Sequence, residues 1–437
     1  MAHSFFGGIH PRGFKELTRD EAIRPLEPKV VSIAMSQHIG APCKPLVRVG
    51  ERVLLGQKIG DGQGLCVPVH ASVSGRVVAV ERRPSPSGAM SEAVVIESDG
   101  RNTLHPSVKK RENAEGLTAD ELLEIIREAG ITGMGGAGFP TCVKLSSGLG
   151  KVDTVIVNGA ECEPYITSDD RLMREQPEKI LAGLRVVQRI LQPKRTAIGV
   201  ENNKPEAIES LKKHLNGEAE LLTLKVRYPQ GAEKQLIQTV TGRQVPPGGL
   251  PAAVGCAVFN VATCAAICDA VFDGLPLVRR AVTVTGRAVA HPCNLLVPIG
   301  TSFSALIEAA GGFASEPYKI FVGGPMMGIA QHTLSASTIK GNNALTCYSM
   351  RDKHEVEQPH CIRCGKCVDV CPMHLMPIFL HRAQKNDDLE KLRRGNVTDC
   401  IECGSCAYVC PAGIDLVQHF RTAKKALRDE QAKEAKK

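Results

Sequence analysis

Eight of the seventeen cysteines are concentrated near the carboxyl end of the chain, and their spacing predicts iron–sulfur chemistry. They form two copies of the pattern C-x2-C-x2-C-x3-C, each followed by proline: Cys361, Cys364, Cys367 and Cys371, then Cys400, Cys403, Cys406 and Cys410. Three thiolates spaced two residues apart converge on one cube, and the fourth ligates the other cube in two-cluster proteins. We therefore assign the ligands of two [4Fe–4S] centres as Cys361, Cys364, Cys367 and Cys410, and as Cys400, Cys403, Cys406 and Cys371.

Structural zinc and reduced core cysteines are the alternatives for this block. A zinc site uses two CxxC pairs and would require neither the third CxxC step nor the closing proline. The segment between the two motifs has helical periodicity, which resembles a helical dicluster ferredoxin. Two adjacent clusters form a one-electron relay, so the rest of the chain is expected to contain an electron source or sink.

A glycine-rich loop from Gly133 to Gly138 is the second feature that suits chemistry. Its backbone N–H groups and the helix expected after Pro140 would suit a phosphate, with Lys144 one turn further on as the countercharge. The loop matches neither the Walker pattern nor the GxGxxG dinucleotide fingerprint. An ordinary turn without a ligand is therefore the alternative interpretation.

Composition excludes several classes of protein. The 437 residues are 43% hydrophobic and 23% charged, which is typical of a soluble globular protein of several domains. We expect no transmembrane segment and no signal peptide, and the odd cysteine count favours a reducing compartment. The net charge is +8, half of it in residues 417–437, which we interpret as a solvated helix. Apart from the positive net charge, no feature of the sequence supports nucleic-acid binding.

Changes of pattern along the chain predict a multidomain α/β protein. Residues 1–115 have short apolar runs punctuated by glycine and proline, and they resemble the barrel-sandwich hybrid of lipoyl carriers without the modifiable lysine. Thr118 and Glu121 form a capping box that begins an α/β domain, in which strands alternate with helices. The predicted divisions are a β-rich domain at 1–115, an α/β domain at 116–278, a β-grasp module of the soluble-ligand-binding type at 279–330, a linker at 331–350, a ferredoxin domain at 351–418 and a basic helical tail at 419–437.

Several segments together resemble a known family. The loop from Gly133 to Lys144 is similar to the flavin loop of the NADH-oxidising flavoprotein subunit of respiratory complex I. The segments 157–164, 231–233 and 259–263 follow in that family's order and spacing. With the amino-terminal GGIHPRGFKELT, the GGPMMG at 323–328 and the dicluster end, nearly the whole chain resembles the C subunits of Rnf complexes.

The resemblance implies noncovalent FMN, NAD(H) and two [4Fe–4S] clusters as cofactors. Phe139 would stack on the adenine of NAD(H), and Glu161, Glu163 and Glu233 would border the flavin and nicotinamide. No catalytic nucleophile is implied, because hydride transfer to FMN demands none; Glu163 and Glu233 are candidates for positioning the nicotinamide. The remaining implied cofactor-binding residues are Gly133, Gly135, Gly136, Gly138, Lys144, Asn158, Asn260 and Thr263.

The implied function is an NAD(H)-linked oxidoreductase subunit that passes electrons between NAD(H), FMN and the two clusters. Its expected partners are the other subunits of a membrane-bound, ion-translocating complex, and its expected location is peripheral, on the cytoplasmic face of the cell membrane. The alternatives are a soluble electron donor to a reductase and a non-enzymatic cluster relay or scaffold. The nine cysteines outside the two motifs are expected to serve mostly as packing residues.

Overall fold

The computed structural model describes residues 4–112, 114–136, 138–353 and 360–434. Short strands dominate the first hundred residues, as the sequence predicts, and they form two small antiparallel sheets. The sheet orders are β2-β8-β7-β4 and β3-β5-β6, and β1 belongs to a different sheet described below. The strands are β1 (Ile23–Pro25), β2 (Val30–Ala34), β3 (Lys44–Pro45), β4 (Arg52–Val53), β5 (Lys58–Asp61), β6 (Val69–His70), β7 (Gly75–Pro84) and β8 (Met90–Ser98).

The α/β domain begins at the predicted capping box. The Thr118 hydroxyl accepts from the Glu121 amide, and the Glu121 carboxylate accepts from the Thr118 amide. The first helix ends before Gly130, whose φ of +65° is left-handed. The elements are α1 (Ala119–Glu128), α2 (Thr141–Gly148), β9 (Thr154–Gly159), α3 (Ser168–Glu175), α4 (Pro177–Leu191), β10 (Arg195–Glu201), α5 (Pro205–His214), β11 (Glu220–Leu224), α6 (Glu233–Thr241), β12 (Cys256–Asn260) and α7 (Val261–Cys268).

The four strands of this domain are parallel, in the order β11-β10-β9-β12. The order reverses beside β9, and ligands of open parallel sheets bind at the carboxyl ends of strands next to such a reversal. Helices α4 and α7 pack closely, since a Cβ added to Gly183 would lie 1.8 Å from the Cys264 carbonyl oxygen. The carboxyl ends of β9 and β12 therefore lie side by side at one edge of the sheet, and closely packed helices support the sheet.

A third unit follows, and here the structure corrects one prediction. Its elements are β13 (Arg279–Thr285), β14 (Cys293–Pro298), α8 (Phe303–Ala309), β15 (Pro317–Val322), β16 (Ile329–Ala330) and β17 (Ala344–Ser349), and the sheet order is β1-β14-β13-β17-β15-β16. The predicted linker at 331–350 contains β17, which lies inside the sheet with Leu345 and Cys347 fully buried. The prediction was wrong because a six-residue strand between polar turns has too little local signal.

The carboxyl-terminal unit is helical. Its helices are α9 (Lys366–Asp369), α10 (Pro377–Lys385), α11 (Leu389–Arg394), α12 (Ser405–Tyr408) and α13 (Leu416–Glu434). The predicted boundary between ferredoxin domain and basic tail falls within α13, which buries Leu416, Phe420, Ala423 and Leu427 against the unit's core. The tail is thus helical, as predicted, but continuous with the domain it follows. Residues 354–359 of the predicted ferredoxin domain and 435–437 of the tail lie outside the described residues.

Among the described residues, no helix combines the length and apolar character needed to cross a membrane.

Candidate flavin and iron–sulfur sites

A cavity of about 390 Å³ opens where β9 and β12 end, beside the glycine-rich loop. Its size falls within the range of small-molecule and cofactor sites. All but two of the predicted cofactor-binding residues line it, and the exceptions are Glu161 and Glu163. The lining members are Gly133, Gly135, Gly136, Gly138, Phe139, Lys144, Asn158, Glu233, Asn260 and Thr263.

The glycine-rich loop exposes bare backbone to this cavity. Gly138 has a φ of +64°, in the left-handed region, and a Cβ on Gly135 would lie 3.2 Å from the Asn260 Cβ. Two hydrogen bonds hold the loop at Met134, which lies between Gly133 and Gly135. The Met134 amide donates to the Thr263 hydroxyl at 3.0 Å, and the buried Arg280 guanidinium donates to the Met134 carbonyl at 2.9 Å. The first half of the loop is therefore held by protein contacts alone.

The polar groups at the cavity suit a phosphorylated ligand. Lys144 Nζ donates to Glu233 Oε1 at 2.9 Å and to the Val258 carbonyl at 3.0 Å. The Thr141 hydroxyl, at the start of α2, is buried and has no hydrogen-bond partner among the residues that the structure describes. A buried hydroxyl without a partner is costly unless a ligand satisfies it. A free hydroxyl, an ammonium group and bare backbone form a donor set that fits FMN.

Two asparagines brace the ends of the strands. Asn158 donates to the Gly231 carbonyl at 2.8 Å, which joins β9 to the segment before α6. Asn260 caps α7 by accepting from the Ala262 amide at 2.9 Å, and it donates to the Asp169 carboxylate at 2.6 Å. Both side chains therefore line the cavity and also hold neighbouring segments of its wall in place.

Glu161 and Glu163 lie outside the cavity lining, although the resemblance places them near the flavin. Glu161 accepts from the Asp169 amide at 2.8 Å at the start of α3, and its carboxylate lies 3.9 Å from Lys15 Nζ. Burial raises the pKa of Glu161 to about 8, although Lys15 opposes the shift. Glu163 accepts from the Met326 amide at 2.6 Å. The structure thus uses both carboxylates to join the cavity's domain to its neighbours, and their proximity to a flavin stays a prediction.

Glu163 also predicts a pH dependence of stability. Burial raises its pKa to about 7, against the opposing effect of the Met326 and Met327 amides. The unfolded pKa is about 4.3. A raised pKa means that the folded state binds the proton more tightly, so this contribution is complete below about pH 4.3 and is lost as the pH rises to about 7. We expect Glu163→Gln to remove it, so that from pH 5 to pH 8 the variant gains about 2–3 kcal/mol of unfolding free energy relative to the wild type.

Urea unfolding midpoints at the two pH values measure this effect, with the exposed Glu51→Gln as the matched control. If Glu163→Gln and Glu51→Gln follow the same pH dependence as the wild type, the buried carboxyl of Glu163 does not titrate differently in the two states.

The motif cysteines gather into two groups. Cys371 of the first motif lines a small cavity together with three cysteines of the second, Cys400, Cys403 and Cys406. Around Cys367, burial raises the thiol pKa, and the neighbouring thiols of Cys410, Cys361 and Cys364 add to the shift. These neighbours are the ones that the exchanged-ligand assignment expects, and the assignment itself stays a prediction.

Each group fits an iron–sulfur cluster. Gly365 and Gly404 both have a φ of +79°, so the two motifs turn in the same way before α9 and α12. Among the described residues of the chain, Cys371, Cys403 and Cys406 are buried, whereas Cys361 and Cys364 are exposed. Buried thiols with raised pKa values become thiolates when a metal displaces their protons.

Direct contacts join the cavity to the cysteine group that contains Cys403. The Tyr228 hydroxyl donates to the Cys403 carbonyl at 2.6 Å, and three residues later Gly231 lines the cavity. Helix α6 begins with Glu233 in the cavity, and its Gln235 donates to the Pro372 carbonyl at 3.2 Å. The two sites are therefore connected by one short, packed segment.

Thr141, Leu250 and Ile39 are among the cavity residues that the sequence did not predict. Thr141 lies inside the motif that carried the resemblance, and a hydroxyl at a helix start was an available signal. Leu250 comes from the loop before β12. Ile39 comes from the amino-terminal domain, where its amide donates to the Gly138 carbonyl at 3.2 Å. Nothing local in the sequence indicates that Ile39 reaches the glycine-rich loop.

Family models match four consecutive parts of the chain. They are the RnfC barrel sandwich hybrid domain at residues 3–101, the Nuo51 FMN-binding domain at 126–269, the SLBB domain at 281–330 and the 4Fe-4S dicluster domain at 360–414. These matches confirm the predicted fold class and its order of domains.

Curated relatives are similar over almost the full chain. The C subunit of a Na(+)-translocating ferredoxin:NAD(+) oxidoreductase complex from Acetobacterium woodii is 46% identical and covers 97% of both chains. The C subunit of a proton-translocating ferredoxin:NAD(+) oxidoreductase complex from Clostridium ljungdahlii is 46% identical over 97% of this chain and 94% of its own. The C subunit of an ion-translocating oxidoreductase complex from Pseudomonas aeruginosa is 44% identical over 99% of this chain but 56% of its own.

A solved NAD+-reducing [NiFe]-hydrogenase in the air-oxidised state shares the fold, with a TM-score of 0.51 and 20% identity over 72% of this chain and 64% of that one. Fold, cavity and cysteine groups together define an iron–sulfur flavoprotein of the electron-transferring class. Within that class, the chain belongs to the family of C subunits of ion-translocating Rnf oxidoreductase complexes.

Proposed function

We propose that this chain passes electrons between NAD(H), FMN and two [4Fe–4S] clusters, as the C subunit of a membrane-bound ferredoxin:NAD oxidoreductase that moves ions. One observation carries the proposal: a cavity suited to a flavin phosphate lies on the same short segment, Tyr228 to Gln235, that contacts Cys403 and Pro372. Relatives that are similar along their whole length are named as subunits of such complexes.

The proposed flavin-binding residues divide by chemistry. Lys144 supplies the positive charge for the phosphate, and Thr141 supplies a free hydroxyl. Asn158, Asn260 and Thr263 keep the wall in place through their bonds to neighbouring backbone. When bound, FMN accepts or donates a hydride and exchanges electrons singly with the clusters. The chain's task is to orient the cofactor against the loop, which is held at Met134 by Thr263 and Arg280.

NAD(H) is proposed to enter beside Phe139 and Glu233. Phe139 is partly exposed at the cavity, so its ring is available for stacking on an adenine. Glu233 is held by Lys144 at 2.9 Å, which fixes the direction of its carboxylate. Both residues are positioning groups, since hydride transfer requires no acid or base from the protein.

The clusters are proposed to have exchanged fourth ligands. Cys371, Cys400, Cys403 and Cys406 would hold the cluster near the flavin cavity, because the Tyr228 and Gln235 contacts reach this group. Cys361, Cys364, Cys367 and Cys410 would hold the other, whose first two ligands are exposed. The exposed group is therefore suited to electron exchange with another protein.

We place the protein peripherally, on the cytoplasmic face of the membrane. Two observations support this location: the relatives are named as subunits of ion-translocating complexes, and the cysteines of the described residues form no disulfide, which is typical of a reducing compartment. Copurification with the membrane subunits, released by high salt, is the expected behaviour. Recovery of active protein without any membrane association would favour the soluble electron donor instead.

The central experiment adds NADH to the anaerobic protein after reconstitution with iron, sulfide and FMN. We expect loss of the oxidised flavin absorbance, followed by the electron paramagnetic resonance signals of reduced clusters. Bound FMN that NADH fails to bleach, beside clusters that dithionite reduces normally, would contradict the enzyme and favour the relay or scaffold.

A further inference from the structure

Three potential metal ligands meet in the amino-terminal domain, away from the ferredoxin motifs. They are His38, Cys43 and Cys66, and their ligand atoms all lie within 4.8 Å of one another. The two sulfur atoms are 3.4 Å apart. The proposed electron-transfer function uses none of these three side chains, and the sequence predicts the two cysteines to be packing residues.

The spacing fits a tetrahedral ion with soft ligands. Zinc binds thiolate sulfur at about 2.3 Å and imidazole nitrogen at about 2.0–2.1 Å, which separates tetrahedral ligand atoms by about 3.5–3.8 Å. The sulfur pair is already at 3.4 Å, and the histidine nitrogen is no more than 4.8 Å from either sulfur. Small side-chain movements would therefore complete three bonds.

The histidine is held as metal-binding histidines usually are. Its Nδ1 lies 3.1 Å from the Ile39 carbonyl, to which it donates when Nδ1 carries the proton. In that tautomer Nε2 carries no proton, and its lone pair accepts a hydrogen bond from the Val67 amide at 3.2 Å. Val67 follows Cys66 directly, so this lone pair is directed at the backbone next to Cys66, and a ring nitrogen of the histidine lies within 4.8 Å of both sulfur atoms. An ion would take the lone pair in place of the amide.

A glycine packs closely against the thiols, and one buried positive charge lies near them. Gly62 lies against the site, where a Cβ would be 2.9 Å from Cys66 Sγ. The ammonium of Lys340 is buried, donates to the Pro68 and Gly130 carbonyls, and interacts electrostatically with both thiols. Cys43 and Cys66 are buried, whereas His38 is partly exposed and offers a path for entry.

We propose that His38, Cys43 and Cys66 bind one Zn²⁺ ion, with solvent as the fourth ligand. Two thiolates balance the charge of the divalent ion. The Lys340 ammonium is then not required as a countercharge, and it keeps its hydrogen bonds to the Pro68 and Gly130 carbonyls. The site lies next to the flavin cavity: Ile39 follows His38, donates to the Gly138 carbonyl at 3.2 Å and lines the cavity. The ion would therefore tie the amino-terminal domain to the glycine-rich loop.

The test measures zinc in the complete protein, purified without oxygen and in the presence of reductant. We expect about one zinc per chain beside a full complement of iron, and a zinc X-ray absorption edge with two sulfur ligands and nitrogen or oxygen in the remainder. Cys43→Ser and His38→Gln should each lower bound zinc about tenfold or more without changing the iron content. His38 is partly exposed, so its variant tests the site even if Cys43→Ser fails to fold.

Cys293→Ser is the matched control, because Cys293 is buried in a different domain and has no such neighbours among the described residues. It should keep the zinc of the wild type. Three results would overturn the proposal: zinc that is equal in all variants, an edge with four sulfur ligands from a damaged ferredoxin site, or a mass 2 Da lower under reducing purification, which would show a Cys43–Cys66 disulfide in place of an ion.

Discussion

Replacing Cys371 together with Cys406 by serine is expected to remove one cluster and to leave the other intact, although the two cysteines belong to different motifs. The iron content should fall from about eight to about four atoms per chain. The physical reason is that Cys371 lines the same cavity as Cys406, so in the proposed assignment both thiols would ligate one cluster.

The matched double variant replaces two cysteines of the same motif. Cys367 lies near the thiol of Cys410, while Cys371 lies with the second motif. Changing Cys367 and Cys371 together should therefore damage both clusters and lower the iron content to about zero. Iron and sulfide analysis and electron paramagnetic resonance of the reduced protein separate the two outcomes.

The opposite result would contradict the exchanged ligands. If each motif held its own cube, Cys371→Ser with Cys406→Ser would remove both clusters, and Cys367→Ser with Cys371→Ser would remove one. Cys347→Ser controls for loss of a buried thiol, since Cys347 lies in the sheet of the third unit. NADH should still bleach the flavin in the first double variant, because the flavin cavity contains neither cysteine.

Lys144→Met is expected to raise the dissociation constant of FMN about 10- to 100-fold. Hydrogen bonds to charged groups are worth about 1.5–3 kcal/mol, which corresponds to this range. Lys144 Nζ lies at the cavity and is held by Glu233 and by the Val258 carbonyl, so the ammonium is directed before the ligand arrives. Methionine keeps most of the length of the side chain and removes the charge.

Flavin titration of the FMN-depleted protein, with its clusters intact, measures the effect. Lys151→Met is the control, because Lys151 is exposed and lies outside the cavity lining. Glu233→Gln alone and combined with Lys144→Met distinguishes loss of the phosphate contact from release of the Glu233 carboxylate. An FMN affinity for Lys144→Met within twofold of that for Lys151→Met would show that Lys144 does not contact the phosphate.

Local patterns were sufficient for the helices and for the flavin loop. Thr118 and Glu121 predict the start of α1 because a capping box acts within four residues. The helix from Pro177 to Leu191 has the predicted bounds, since its apolar periodicity is long and proline occupies its first turn. The glycine-rich loop could be recognised because its residues are contiguous in the chain.

Contacts between distant segments could not be predicted in this way. Strand β17 pairs with β13 and β15. The pattern of a six-residue segment does not indicate which distant strands it will pair with. Glu161 and Glu163 follow β9, yet the turn of the chain directs one towards α3 and the other towards Met326. Ile39 reaches the flavin cavity only because two domains pack together.

The type of chemistry can thus be predicted from residue order alone, through two iron–sulfur motifs, a flavin-type loop and the order of domains that carries them. These features depend on residues close together in the chain, where spacing alone limits the geometry. Three features become visible only in the folded chain: which thiols share a cavity, which segment joins the flavin cavity to Cys403, and the meeting of His38 with Cys43 and Cys66. Each of these depends on side chains brought together by the burial of apolar surface between distant segments, which local spacing does not encode.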